Sequence, residues 1–176
     1  EKALPSVDDI ARAAAAIEAR EDREFGGFGG GDPAAPKFPI ATALRFLQAG
    51  AVRTANPPAA AVADRALAEM AGSELRDPVE GGFFRYATRR DWTIPHYERM
   101  LTDNAQLLEV AVDAGDAPTA RGIARFLVDV LQQPDGGFGA AQDSESWIDG
   151  DRSEGGYYER DAAARSSLEP PAVDGK

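Results

Sequence analysis

The chain contains no cysteine, a single histidine and two methionines. Without cysteine there is no disulfide framework, no thiolate metal site and no cysteine nucleophile, so thiol redox chemistry by the chain's own residues is excluded. With His96 as the sole imidazole, acid–base chemistry near neutral pH turns on that position and on carboxylates whose surroundings perturb them. No run of 18 apolar residues occurs, and the opening Glu1-Lys2-Ala3-Leu4-Pro5 lacks the apolar stretch of an export signal. Neither a membrane span nor export is expected, and a cytoplasmic location follows as the expectation. Basic charge is also short, with 19 Lys and Arg against 30 Asp and Glu for a net charge of -11. That balance repels a phosphate backbone, so no nucleic-acid partner is expected.

What is present is an ordinary globular composition, 43% hydrophobic and 28% charged over 176 residues. Such a chain is long enough to bury about two-thirds of its unfolded surface. It also carries a repeat. Gly-Gly-Phe begins at Gly26, Gly81 and Gly136, an even spacing of 55 residues. Each motif follows a helical pattern. Ile10, Ala14 and Ile17, with Ser6 as N-cap, make the first stripe; Val62, Ala63, Ala66, Leu67 and Met70 make the second; Ile123, Phe126, Leu127, Val130 and Leu131 make the third. A second helix is predicted after each of the first two loops, over 40–48 and over 96–114. The latter is apolar on more than one face through Leu107, Leu108, Val110, Ala111 and Val112, the pattern of a helix buried between neighbours. The unit is therefore amphipathic helix, glycine loop, buried helix, which stacks into a solenoid or closed ring. No buried helix is predicted after the third loop, and Tyr157-Tyr158-Glu159-Arg160 is read as a short strand or hairpin within it. The chain is read as incomplete for a domain of this design.

The blocks Phe25-Gly-Gly-Phe-Gly29, Ala35-Pro-Lys-Phe-Pro39, Gly81-Gly-Phe-Phe-Arg-Tyr86, Trp92-Thr-Ile-Pro-His-Tyr-Glu-Arg-Met-Leu101 and Asp103-Asn-Ala-Gln-Leu107 resemble, in order and spacing, the YyaL/spermatogenesis-associated protein 20 family. Gly136-Gly-Phe-Gly-Ala-Ala-Gln-Asp-Ser-Glu145 with Glu154-Gly-Gly-Tyr-Tyr158 is similar to that family's acidic loop. Gln142 stands in place of an acid there, and 147–152 looks inserted. The resemblance implies an all-α fold, the N-terminal half of an (α/α)6 toroid similar to those of N-acylglucosamine 2-epimerases and six-hairpin glycosidases, with a short β-hairpin in the third loop. Residues 1–176 are then the first three hairpin units. By this chain's own spacing a six-unit ring needs about 330 residues. The remaining hairpins and a thioredoxin-like domain are the implied partners, beside a small sugar-like ligand.

Candidate site residues follow. His96, at the predicted mouth of the buried helix, serves as acid or base or else packs at the helix start. Asp103, seven positions on, shares its face of that helix, while Glu98 points elsewhere. Lys37 between two prolines aims a cation at a ligand or lies on the surface. Arg85 and Tyr86 reach polar ligand groups, or Arg85 pairs with Asp91 or Glu98. Asp143, Ser144 and Glu145 form an acidic loop of the kind that holds hard cations, but Gln142 weakens that reading and no metal or other cofactor is assigned. Asp103 and Asp143 would suit the two sides of a glycosidic bond. Phe28, Phe83, Phe138, Tyr157, Trp92 and Trp147 offer stacking platforms for sugar rings or pack the core. His96, Asp103 and Asp143 are thus the catalytic candidates, and Lys37, Arg85, Tyr86, Trp92 and Glu98 the substrate-binding ones. Two function classes remain: a carbohydrate enzyme, either epimerase/isomerase-like or glycosidase-like, and a non-catalytic binding or regulatory module attached to a thioredoxin-like domain. Related epimerases are similar in using histidines, so the resemblance asks for a second histidine outside this chain.

Overall fold

The computed structural model describes residues 4–29 and 31–174. Each of the three stripes folds as a helix closed at its start by a side chain. In α1 (Val7–Glu18) Ser6 accepts from the Asp9 amide and Asp9 returns the bond to the Ser6 amide, a reciprocal cap that satisfies two amides the helix leaves free. In α4 (Pro57–Ala71) the cap is Asn56. In α6 (Ala117–Phe126) it is Asp116, and this helix runs on into a π-helical turn, Leu127–Leu131. Between α1 and α4 stand α2 (Ala41–Gln48) and a short α3 (Gly50–Ala55), which the hydrophobic pattern does not reveal. α5 (Leu101–Asp113) precedes α6, and α7 (Ala162–Arg165) is one turn near the end.

The packing follows the stripes. α2 lies against α4 and α5, α1 against α3 and α4, and α5 against α6. Ala14, Leu44, Leu47, Val62, Ala63, Ala66, Met70, Leu107, Val110 and Phe126 are fully buried in one continuous core. α2 and α5 are therefore the inner helices of the stack, and α1, α4 and α6 flank them. After α1, α4 and α6 the chain turns back through Gly-Gly-Phe and bridges onto the helix end, pairing Glu21 with Phe28, Arg76 with Phe83 and Gln132 with Phe138. At Gly82, with φ +73, a β-carbon would lie 2.6 Å from the Phe126 ring, so only glycine lets this loop close on α6.

Three two-stranded antiparallel ribbons occupy the connections. β1 (Tyr86–Ala87) pairs with β2 (Pro95–His96), β3 (Arg99–Met100) with β4 (Ala141–Gln142), and β5 (Glu145–Ile148) with β6 (Asp151–Glu154). Three expectations differ from this arrangement. The helix expected from His96 begins only at Leu101, because Pro95 and His96 pair with β1 and Arg99 and Met100 with β4. The hairpin in the third loop is built from the stretch that looked inserted, turning at Asp149 and Gly150, both with positive φ, as a two-residue hairpin turn demands. Tyr157 and Tyr158 lie in a buried turn beyond it. α5 is also not enclosed on every face, since Val112 is 61% exposed.

Candidate functional site

The two inner helices differ from the flanking ones in how they begin. Neither Ile40, before α2, nor Met100, before α5, supplies a side-chain cap, so the first amides of both helices and their positive dipole ends are left without side-chain partners. Ile40 sits at φ 41, a left-handed conformation that a β-branched residue adopts only under strain. Asn104 ties the second glycine loop to the start of α5, accepting from the Phe83 amide at 2.7 Å and donating to the carbonyls of Phe83 and Met100. Between the two helix starts lies a cavity of about 420 Å³. Phe38, Ile40 and Thr42 line it from one side, and Arg85, Asp103 and Gln106 from the other.

Asp103 is in the first turn of α5 and half-buried. Burial pushes its carboxyl above the usual carboxylate range, Arg85 opposes this and Glu98 adds to it. The Arg85 guanidinium donates to Glu98 Oε2 at 2.9 Å, and the Arg85 amide donates to the Glu98 carbonyl. The same Glu98 oxygen lies 3.7 Å from His96 Nε2, while His96 Nδ1 lies 2.7 Å from Glu154 Oε1. Tyr86 stands opposite His96 in the β1–β2 ribbon, and its ring stacks between the imidazole, at 5.1 Å, and Phe38, at 4.8 Å. Four expected residues, Arg85, Tyr86, His96 and Glu98, are thus linked by contacts, and the fifth, Asp103, lines the cavity beside Arg85. His96 stands in a ribbon and Asp103 at a helix start, so the two do not share one helix face.

The other three are not in this group. Lys37 is buried at 3% exposure, and its amine donates to Asp22 Oδ2 at 2.8 Å beneath the Trp92 ring. Neither a surface lysine nor a ligand-facing one, it is held as half of an internal ion pair. Trp92 is 1% exposed, and its indole N–H donates to the Phe25 carbonyl. Asp143 lines a separate cavity of about 220 Å³ with Trp147, Arg152 and Pro171. The pairing of Asp103 with Asp143 across one bond is therefore not assembled. Of the aromatic platforms, Phe28, Phe83, Trp92, Tyr157 are core residues, whereas Phe138 and Trp147 are exposed.

Lys37 belongs to an arrangement the repeat builds twice. Asp22 and Asp77 each stand four residues before a Gly-Gly-Phe, and each accepts from amides two and three residues on. Each also receives two cations from later in the chain. Lys37 and Arg90 donate to Asp22, and Arg99 and Arg165 to Asp77. Burial pushes the Asp22 carboxyl up, but Arg90 and Lys37 outweigh it and hold the group well below the usual range. Sequence reasoning missed these pairs, although the equal offset of Asp22 and Asp77 was there to be seen. It also missed Phe38 and Glu154, which lie inside recognised blocks. Among the described residues no group of three or more His, Asp and Glu is placed to hold a metal ion, and no helix is long and apolar enough to cross a membrane.

These elements define part of an (α/α)6 toroid with a cavity of mixed polar and apolar lining at the starts of its inner helices. The fold is shared with cellobiose 2-epimerase from Spirochaeta thermophila, at a TM-score of 0.52 and 25% identity, over 78% of this chain and 40% of that one. The chain is homologous to spermatogenesis-associated protein 20. It is 39% identical to the rat protein over 136 residues, 71% of this chain, and 36% identical to the human protein over 150 residues, 78% of this chain. The aligned stretches span 17% and 19% of those relatives, under a fifth of their length. No family model matches the chain.

Proposed function

We propose that the cavity takes a small aldose-type sugar and epimerises or isomerises it by moving the proton on the carbon next to the carbonyl. The observation that carries this reading is the chain of contacts His96, Glu98 and Arg85, with Arg85 and Asp103 lining one cavity at the inner-helix starts, in a fold shared with a sugar 2-epimerase. In the open-chain sugar His96 Nε2 accepts the proton from carbon 2. The electron pair moves into the bond between carbons 1 and 2, and the carbonyl oxygen takes up negative charge near the Arg85 guanidinium. Asp103, whose burial favours its protonated form, returns a proton to the opposite face of carbon 2, and exchange with solvent resets both groups. Phe38, 45% exposed, and Tyr86 supply an apolar wall for the C–H face of the sugar.

In this proposal the chain supplies the first three of six hairpins and the others close the cup and add a further base. A cytoplasmic setting, expected from the sequence, and a thioredoxin-like neighbour domain, implied by the family resemblance, stay with it as proposals. A glycosidase needs two carboxylates flanking one bond. The separate cavities of Asp103 and Asp143 give that version no support.

Proton NMR of the full-length protein in heavy water, with cellobiose, glucose and N-acetylglucosamine, tests the reading. Deuterium should enter at carbon 2, and His96→Gln should slow its entry by about 10²- to 10⁴-fold, the usual worth of one acid–base group. Sugar binding with no exchange in the wild type would refute the enzyme and favour the binding module.

A further inference from the structure

We propose that Glu154 is the positioning residue of this site: it accepts a hydrogen bond from the Nδ1–H of His96, fixes that tautomer, and leaves Nε2 as the nitrogen open to a substrate proton. This rests on the reading of His96 as the base and adds to it the group that decides which nitrogen acts.

A neutral imidazole carries its proton on one nitrogen, and the partner of that nitrogen sets which. Glu154 Oε1 stands 2.7 Å from Nδ1, and an ionised carboxylate only accepts, so Nδ1 carries the proton. At the other nitrogen the nearest carboxylate oxygen, on Glu98, is at 3.7 Å and already accepts from Arg85 at 2.9 Å. Among the described residues no donor reaches Nε2, so its lone pair is unused. The groups facing the ring are thus Glu154 from β6, Glu98 from the turn between β2 and β3, and the Tyr86 face from β1, with Arg85 beyond Glu98.

Glu154 is also held in place by more than its contact with His96. It closes the β5–β6 hairpin opposite Glu145. The next residue, Gly155, donates to the Ser144 carbonyl at 3.0 Å and lies flat on the Tyr97 ring, where a β-carbon would come within 2.5 Å of Cε2. The backbone at Glu154 is therefore packed against the residue following His96. A carboxylate so anchored orients the ring, as outer partners of functional imidazoles do. The hairpin thereby gains a role. It carries the carboxylate 58 residues along the chain to the imidazole.

His96 is the sole histidine of this chain, and in the full-length protein its imidazole ¹⁵N pair is assigned as the pair that His96→Gln removes. With the ring uncharged, the wild type should show a protonated Nδ1 and a bare Nε2. Glu154→Ala should lose that preference and protonate Nε2, whereas Glu154→Gln, whose amide oxygen still accepts, should keep Nδ1–H. Glu154→Ala should also lower kcat for exchange by about 10- to 100-fold, the usual cost of losing such a partner, with KM little changed. A wild type protonated at Nε2 overturns the proposal whether or not either variant folds. So does a Glu154→Ala ring identical to the wild-type ring. If the Nδ1–H tautomer is found but no sugar exchanges, the sugar reading fails and the positioning role stands.

Discussion

Replacing Lys37 by methionine separates a ligand-binding lysine from a structural one. The substitution keeps most of the length of the side chain and its packing between Phe25 and Trp92, and removes the charge. What is lost is one charge-assisted hydrogen bond at 2.8 Å to Asp22, worth about 1.5–3 kcal/mol, and a cation–π contact to Trp92 at 4.7 Å, worth about 0.5–2 kcal/mol. Asp22 retains Arg90 on both oxygens and two backbone amides, so it is not orphaned. Lys37→Met should then cost about 2–4 kcal/mol. Asp22→Asn leaves Lys37 without its counter-charge and should cost more, about 3–5 kcal/mol. The pH dependence has a definite sign. The folded-state carboxyl of Asp22 is held below its ordinary value, so its contribution is fully present above about pH 4 and is lost as the pH falls towards the depressed folded value. Urea unfolding at pH 7 and pH 3 measures both effects, and the gap between wild type and Asp22→Asn should narrow at the lower pH. A Lys37→Met protein as stable as the wild type, with weakened sugar binding, would refute the argument and return Lys37 to the ligand site.

Other consequences are equally direct. Gly82→Ala places a methyl 2.6 Å from the Phe126 ring at a φ of +73 and should destabilise by more than about 2 kcal/mol, whereas Gly136→Ala, with open space around it, should cost about 1–2 kcal/mol from backbone strain alone; thermal melts compare the two. Asp103→Asn should abolish exchange yet raise stability at pH 7 and not at pH 3, because burial penalises the ionised form and that penalty acts only above the ordinary aspartate pKa. Tyr86→Leu removes stacking on both ring faces and should cost about 1–3 kcal/mol in chemical denaturation, while the His96 tautomer is retained.

What the sequence made legible was local or periodic. The stripes of α1, α4 and α6 were readable because the 3.6-residue period fixes which side chains face the core, and the cap at Ser6 because it precedes the first of them. The Arg85–Glu98 pair was readable as one of two options because the residues are close in the chain, whereas Glu98 beside His96 was not, since a helix running from 96 points the two apart. The rest depended on contacts between distant segments. Arg99 and Arg165 look like ordinary surface cations until Asp77, 22 and 88 residues away, encloses them. Lys37 looks exposed between its prolines until Arg90 and Trp92 close over Asp22. The start of α5 was misjudged because ribbon pairing with β1 and β4 overrides the helical pattern at 95–100. Asp149-Gly150 was a hairpin signal that was passed over.

The central claim is that one cavity, between the starts of α2 and α5, holds the sugar. Chemical-shift mapping on the ¹⁵N-labelled protein with a hexitol, an unreactive open-chain analogue, tests this most directly. Perturbations confined to Thr42, Arg85, Tyr86, His96, Asp103 and Gln106 would support the claim. Shifts centred on Asp143, Trp147 and Arg152, with the His96 region silent, would contradict it and move the ligand to the other cavity.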